Sequence, residues 1–479
     1  MKLEKILNDI EILNEFNGFD IDIDNISYNS KDKQSNSLFV CLPGKSADGH
    51  DFAKEAIAKG ALAIVCERDL GLNNQIIVKD SRQSLAKISA NFFDNPSKKL
   101  KLIGVTGTKG KTTVSSFIST ILNNAGQKTA QIGTLGAIFG DEIIETDNTT
   151  PESFEIQKLL RKAVDLNYKN VVIEASSIGL KNHRLDTLVF NYGVFTNISE
   201  DHISAYEHDS FDDYIKSKSL LFKICKKGFI NTDDLSYKQI ILDHSCRIHS
   251  YGFSSDCQFA CSNYFPKEQI GSSFMVNGKE FELSVPGKYN VYNALASIAV
   301  CAEMDVNYET IRSSLKDCKV KGRSEIVFKN SSVAIIIDYA HNSLGLENLL
   351  RSLREYHPRR IVTVFGAGGN RAKSRRHSMG KVSGELSDLT IITSDNSRFE
   401  NTSDIIEDIK KGVQETAGQF VVIPDRRKAI EYCVRNARTG DFIVLAGKGH
   451  ETYQELNGVK YNFDERVIVN DVLSECRMI

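Results

Sequence analysis

The chain has 479 residues, 41% of them apolar and 25% charged, with 60 Lys and Arg against 62 Asp and Glu for a formal charge of −2. At roughly 150 residues per domain this length suggests about three domains, and the balanced charge excludes a general field for holding nucleic acid or an anionic membrane. No apolar run approaches the ~18–20 residues that span a bilayer, so membrane insertion is not expected.

The opening stretch, MKLEKILNDIEILNEF, interleaves acids with its apolar residues and does not read as a signal peptide. The ten cysteines are scattered, and the closest pair, Cys257 and Cys261, has no second pair at zinc spacing. Free buried thiols in a reducing, cytoplasmic compartment follow from that pattern. Residues 1–99 read as a small α/β unit ending at Asn95-Pro96-Ser97.

Next, strand KLIGV (101–105) runs into Thr106-Gly107-Thr108-Lys109-Gly110-Lys111-Thr112-Thr113. A helix begins there, because Val114, Phe117, Ile118, Ile121 and Leu122 recur at i, i+3, i+4, i+7 and i+8, and Gly126 suits its end. Glycines let successive N–H groups turn toward phosphate oxygens, and the helix N-terminus adds partial positive charge. Lys111 would reach the β/γ-phosphates, and the Thr112 hydroxyl would face Mg²⁺. Five residues separate Gly104 from Gly110 rather than the usual four, which tightens the frame. The bland alternative is a Gly-rich turn with a solvated lysine. Strand, loop, Lys-Thr pair and helix in this order favour an ATP or GTP site of a kinase, an ATPase or a ligase.

Buried-strand runs continue at NVVIEASS (170–177) and YGVFTNIS (192–199), then at VAIIIDYAHN (333–342), RIVTVFGAGGN (360–370), LTIITSDNSR (389–398), FVVIPDRR (420–427) and DFIVLAGKGHE (441–451). Helix-like segments separate most of them. The alternation predicts an α/β protein with parallel sheets covered on both faces and ligands at the strands' carboxyl ends. A second boundary is expected at Lys329-Asn330-Ser331-Ser332, which gives domains at 1–99, 100–329 and 330–479.

The ordered series NTTP (148–151), EASS (174–177), TNISEDH (196–202), YIKSKSLLF (214–222), KGRSE (321–325), DYAHN (338–342), SDNSR (394–398) and AGKGHE (446–451) resembles the Mur ligase family, the ATP-dependent amide-forming enzymes of peptidoglycan precursor synthesis. Within it the chain looks most like the branch adding the third amino acid to UDP-N-acetylmuramoyl-L-alanyl-D-glutamate. The resemblance covers essentially the whole chain, including YNSK (28–31). It implies a P-loop ATPase-like central domain, a Rossmann-like doubly wound C-terminal domain and a smaller N-terminal domain, working as a cytoplasmic monomer on small-molecule substrates.

By that resemblance, Tyr28 and Ser30 sit at the uridine end, and Asn148, Thr149, Thr150, Ser176, Asn182 and Arg184 hold the diphosphate, sugar and peptide. Such a long anion needs hydroxyl, amide and guanidinium donors. Glu174 and His202 read as magnesium ligands beside Thr112, and Lys218 matches the lysine that the family carbamylates, turning a cation into an oxygen ligand. Asn293, Arg323 and Asp338, with Tyr339, His341 and Asn342, would meet the nucleotide. Arg371, Asp395, Asn396, Ser397, Arg398, Gly447 and Glu451 would form the acceptor site. Two arginines and one carboxylate suit a zwitterion with an extra distal carboxylate, which implies meso-diaminopimelate.

Two positions depart from the family pattern. SSH is here Ser176-Ser177-Ile178, and DNPR is here Asp395-Asn396-Ser397-Arg398, losing the proline's fixed φ and loosening that loop. DHISAYEH (201–208) and GNRAKSRR (369–376) look closer to lysine-adding members. Beside the main reading stand the same ligase with L-lysine as acceptor, folylpolyglutamate synthetase, and a non-catalytic nucleotide-binding paralogue.

Overall fold

The computed structural model describes residues 1–44, 47–200, 207–267 and 270–476. It divides into two compact units, Met1–Cys261 with Tyr292–Ile311, and Ser262–Val291 with Arg312–Ile479.

The first unit begins with four parallel strands in chain order, Asn25–Ser27, Ser37–Val40, Ala61–Cys66 and Gln75–Ile77. Helix Ser81–Phe92 starts where the Asp80 carboxylate accepts from Gln83 N, and its Leu85 and Ile88 share a core with Leu38, Val40, Ala63 and Val65.

The same unit holds the central sheet. Strands Arg247–Gly252, Cys225–Asn231, Phe190–Phe195, Lys101–Thr106, Asn170–Glu174 and Thr129–Gly133 run parallel in that spatial order. They are buried on both faces, which is why their sequences read as unbroken apolar runs. The expected parallel core is present, but the sheet as a whole is mixed. Only two residues join Gly133 to Gly136, too few for a crossover, so Gly136–Phe139 and Glu142–Ile144 add antiparallel at the edge. Register pairs Val105 with Glu174 and Thr106 with Phe195. The segments after these strands therefore emerge side by side at one carboxyl edge.

The second unit holds a six-stranded sheet in the order Glu325–Lys329, Val333–Asp338, Asp441–Ala446, Arg360–Phe365, Leu389–Ile392, Phe420–Val422. All pairs are parallel except the first. The polar stretch expected to separate two domains at 329–332 is instead the turn of that first hairpin, where Asn330 Oδ1 accepts from Ser332 N and Val333 N at 2.8 Å each. Helices Ser343–Arg354, Lys373–Leu386 and Thr402–Gln414 cover one face through Leu346, Leu350, Met379 and Ile409, while Arg426–Arg435 and Glu465–Glu475 cover the other through Ile430, Val434, Ile468 and Val472. The tips at 339–342, 366–371, 393–398 and 447–451 share the carboxyl edge. A short hairpin, Tyr453–Leu456 with Val459–Asn462, follows the last of them.

Candidate active site

In the first unit the phosphate loop has the backbone that its glycines allow. Gly107 lies at φ +149° and Gly110 at φ +87°. A Cβ on Gly107 would collide with the Thr196 hydroxyl, and one on Gly110 with the Asn293 amide, so both positions require glycine. Helix Lys111–Asn124 starts directly after Gly110. The loop is fastened from the neighbouring strand: Thr108 N donates to Asn197 O (2.8 Å), Lys109 N to Asn197 Oδ1 (3.0 Å), and the Thr196 hydroxyl to Lys109 O (2.6 Å). Lys111 Nζ folds back onto Gly107 O (2.8 Å) and Thr108 O (3.1 Å), and Thr113 is buried in the first turn.

The Glu174 carboxylate is fully buried and organises the strand tips. It accepts from the Thr112 hydroxyl (3.0 Å), Thr134 N (3.0 Å) and the Thr134 hydroxyl (3.1 Å), and Thr134 Oγ1 lies 3.1 Å from Thr149 Oγ1. Thr112 and Glu174 thus bring hard oxygen donors together, a donor set that fits a magnesium ion. Among the described residues no three His, Cys, Asp or Glu gather to hold a metal without further oxygen ligands. His202 lies outside the described residues. Lys218 is 1% exposed, with Nζ donating to Gly107 O at 2.9 Å and sitting 4.3 Å from the Tyr214 ring centroid. It points into the phosphate loop from helix Phe211–Ser219. Its amine is a donor; only as a carbamate would it offer oxygen to a cation.

The residues expected to hold the sugar and peptide form a connected set. The Thr150 hydroxyl donates to Glu174 O (2.6 Å), Ser176 Oγ caps helix Ser177–Lys181 by accepting from Gly179 N (3.1 Å), and Arg184 Nη1 donates to Thr150 O (2.8 Å). Asn182 ends that helix, and Asn148 is exposed beside Thr149. Where Ile178 replaces the family histidine, another imidazole meets Ser177: His208 places Nε2 2.8 Å from Ser177 Oγ and Nδ1 2.9 Å from the Asp213 carboxylate, which also takes Lys181 Nζ at 2.7 Å. Burial lowers the His208 pKa against the pull of Asp213. The clamp ties the Ser176 turn to the helix carrying Lys218. Further out, Tyr28 is half-buried with its hydroxyl on Glu155, burial raising its pKa, and Ser30 O receives Lys59 Nζ at 2.7 Å.

The second unit carries the remaining residues. Asp338 accepts from Ser324 N (2.6 Å), and Arg323 lies over the Tyr339 ring at 4.6 Å. Tyr339 is also flanked by His341 and His450, whose ring centroids lie 4.6 and 4.8 Å away. Burial, then the cations Arg323, Lys321, Arg466 and Lys448, push His450 down to about 3, so that imidazole is neutral. Asn342 caps helix Ser343–Arg354 through Gly345 N.

The acceptor residues converge on Asn396. Its Oδ1 accepts from Lys448 Nζ (3.0 Å) and Glu455 N (2.9 Å), and its Nδ2 donates to Glu451 (2.8 Å). Lys448 is fully buried, 3.1 Å from Glu451 and 3.8 Å from Asp395. The two carboxylates respond differently. Burial alone would raise Asp395, but Lys448 and Arg426 outweigh it and lower its pKa; at Glu451 burial outweighs Lys448 and the pKa rises. Gly447 at φ +108° lets the chain pass Asp395, since a Cβ there would lie 2.8 Å from Oδ2. Arg371 and Arg398 flank Gly368: a Cβ built on it would lie 3.5 Å from Arg398 Nη1 and 3.9 Å from Arg371 Cγ.

The loop expected to loosen at Ser397 is held instead. Ser397 is buried, Gly369 packs on its carbonyl, and Arg398 is fixed at φ +51° by Arg398 N→Glu455 O (3.1 Å) and Asn457 N→Arg398 O (2.6 Å). Contacts from a hairpin distant in sequence replace the proline's local constraint. Sequence reasoning passed over Thr134, Asn197, His208, Lys448 and Glu455. Asn197, His208 and Lys448 stood inside quoted stretches, and for Thr134 and Glu455 no local spacing signal exists.

Three family models match along the chain: the Mur ligase family catalytic domain over 22–93, the Mur ligase middle domain over 105–301, and the Mur ligase glutamate ligase domain over 322–449. The chain belongs to the Mur ligase family. This Mur ligase is 40% identical over 463 residues, 95% of each chain, to the UDP-N-acetylmuramoyl-L-alanyl-D-glutamate–2,6-diaminopimelate ligase of Caldanaerobacter subterraneus subsp. tengcongensis. It is 35% identical to the protein of the same name from Clostridioides difficile, over 99% of this chain and 100% of that one. Among solved structures, a UDP-N-acetylmuramoyl-L-alanyl-D-glutamate–2,6-diaminopimelate ligase superposes with TM-score 0.72 at 26% identity, covering 100% of this chain and 99% of the other. The MurF ligase of Thermotoga maritima in complex with ADP shares the fold, with TM-score 0.61 at 17% identity over 94% and 97% of the two chains.

Proposed function

We propose that this Mur ligase joins meso-diaminopimelate to UDP-N-acetylmuramoyl-L-alanyl-D-glutamate at the expense of ATP, in the synthesis of peptidoglycan precursors. The ATP γ-phosphoryl group passes to the D-glutamate side-chain carboxylate, leaving ADP and an acyl phosphate. The neutral amine of the acceptor then attacks the acyl carbon and expels phosphate, forming the amide. For the first step this chain supplies the N–H groups of the Gly107–Lys111 loop and the Lys111 ammonium, which bind and orient the phosphates; such catalysis is mostly positioning and electrostatics. Thr112 and Glu174, with Lys218 as its carbamate and His202, would hold magnesium, which when bound neutralises charge on the transferring group. Thr149, Thr150, Ser176 and Arg184 orient the muramoyl peptide, Tyr28 and Ser30 the uridine end. Asn293, Arg323 and Asp338 bind the nucleotide.

The acceptor reading rests on one observation above the others: Arg398 and Arg371 flank Gly368 beside a cluster containing Asp395 and Glu451. A substrate with two carboxylates needs two guanidiniums, whereas L-lysine needs one. The names of relatives up to 40% identical agree with it. We read residues 1–99 as serving the UDP end, the rest of the first unit ATP, and the second unit, whose sheet begins at Glu325, the acceptor. We read the enzyme as a cytoplasmic monomer; its ten cysteines are free, as suits a reducing compartment, and among the described residues no helix is long and apolar enough to cross a membrane. Cell-wall growth, and with it cell shape and division, would depend on it. The test is phosphate release with UDP-muramoyl dipeptide and ATP, offering meso-diaminopimelate and L-lysine in turn. Turnover confined to L-lysine refutes the acceptor assignment, and none with either refutes the ligase reading.

A further inference from the structure

Two parts of the site in the first unit are joined by a chain of buried polar contacts to which no motif assigns a task. At one end is the Ser176 turn, where Ser176 N donates to Thr150 Oγ1 at 2.9 Å and Ser176 Oγ accepts from Gly179 N at 3.1 Å. The next residue, Ser177, places Oγ 2.8 Å from His208 Nε2, and His208 Nδ1 lies 2.9 Å from Asp213 Oδ2. Asp213 stands in the first turn of helix Phe211–Ser219 and also takes Lys181 Nζ at 2.7 Å. One residue on, Tyr214 packs its ring against the imidazole, with centroids 5.0 Å apart, and its hydroxyl lies 3.0 Å from Thr108 Oγ1 in the phosphate loop. Thr108 Oγ1 also accepts from Ser199 N at 3.1 Å, and Lys218, one turn further along the helix, donates to Gly107 O at 2.9 Å.

Ser177, His208 and Asp213 stand in the order of a hydrolytic triad. Here, however, the imidazole is fully buried and Ser177 is 6% exposed, so the hydroxyl is shut away from a substrate carbonyl and the three groups act as a strut. Its links are short, directional hydrogen bonds in a close-packed interior, so a shift of the Ser176 turn is passed to the helix rather than absorbed. That helix carries both Tyr214 and Lys218 to the phosphate loop. A ring with one nitrogen on each side can bridge Ser177 and Asp213 at once, whereas a carboxamide of either length matches one nitrogen position or the other. We propose that His208 is a positioning residue for phosphoryl transfer, tying the turn that holds the muramoyl peptide to the loop that holds the ATP phosphates. Binding at either place then favours binding at the other, by the same factor in both directions. A second link, from Thr150 through Glu174 to Thr112, runs beside the strut and does not pass through His208.

This inference rests on the ligase reading above, and its test separates the two. Calorimetric titration of the full chain gives Kd for adenylyl imidodiphosphate with Mg²⁺, an ATP analogue that does not transfer its phosphoryl group. The titration is run with and without saturating UDP-N-acetylmuramoyl-L-alanyl-D-glutamate. In wild type the dipeptide should tighten the analogue roughly tenfold. Two variants cut the link from opposite ends: His208→Asn keeps a donor toward Asp213 but loses Ser177, and Ser177→Ala removes the hydroxyl. Each should reduce the factor to about twofold, the remainder carried by Thr150 and Glu174, while Kd for the analogue alone stays within about twofold of wild type. The factor is a ratio within one preparation, so an inactive fraction cancels from it. Variants that weaken the analogue alone yet keep the wild-type factor would make His208 a packing residue, and variants unchanged in both would show that coupling runs elsewhere; each overturns the proposal. A wild type that binds both ligands without coupling overturns it too and spares the ligase reading. A wild type that binds neither overturns both.

Discussion

Replacing Lys448 with methionine should destabilise the second unit in a pH-dependent way. Lys448 is fully buried and lies within 3.8 Å of both Asp395 and Glu451, whose side chains are 10% and 14% exposed. Methionine keeps the volume but removes the cation, leaving two buried carboxylates with Asn396 as their remaining shared neighbour. Breaking a buried pair by removing one member costs about 3–5 kcal/mol. Because both carboxylates keep slight contact with water and Arg426 still acts on Asp395, the expected loss is at the low end, ~3 kcal/mol near pH 8. Glu451 is already raised by burial against the pull of Lys448, so without the lysine it rises further. A carboxylate whose folded pKa exceeds its unfolded value costs stability above the folded pKa, and that cost shrinks as pH falls toward the unfolded value. The deficit of Lys448→Met should therefore be clearly smaller at pH 5.5 than at pH 8. Calorimetric scans at the two pH values read it directly, with ~2–4 °C of melting shift per kcal/mol for a unit of this size, hence roughly 6–12 °C at pH 8. An equal deficit at both pH values would show that lost packing rather than charge sets the cost. No deficit at all would refute the burial argument.

Three other substitutions probe the site. Lys111→Ala should abolish amide formation while the melting temperature stays near wild type, because Asn197 and Thr196 also fasten the loop, through Thr108 N, Lys109 N and Lys109 O; normal turnover in the folded variant would remove Lys111 from the phosphate site. Lys218→Ala should lose activity, and added short-chain carboxylate should restore part of it by replacing a carbamate oxygen; an active enzyme whose high-resolution structure, with bicarbonate supplied, shows the bare amine would refute this. Arg398→Ala should reduce discrimination between diaminopimelate and L-lysine by roughly 30-fold or more, mainly through the diaminopimelate rate. Unchanged discrimination would place the distal carboxylate elsewhere.

Sequence alone determined the features carried by local chemistry. The strand–loop–helix at 101–124 was legible because Gly107 and Gly110, the Lys-Thr pair and the apolar helical stripe each act within a few residues. The buried strands at 170–174, 190–195, 333–338 and 441–446 declared themselves by unbroken apolar runs, since both of their faces are covered. The order of short motifs identified the family across nearly the whole chain. Tertiary structure decided what depends on partners far apart in sequence. Whether Lys329–Ser332 joins or divides depends on the antiparallel pairing of 325–329 with 333–338, a long-range backbone contact. The loss of proline at Ser397 looked like a gain of mobility, yet a hairpin nearly sixty residues on holds Arg398 by two backbone hydrogen bonds. His208 meets Ser177 across 31 residues, and Lys448 meets Asn396 across 52. No spacing rule encodes such pairs, because burial and charge neutralisation are properties of the packed state, in which the chain brings together groups that its sequence keeps apart.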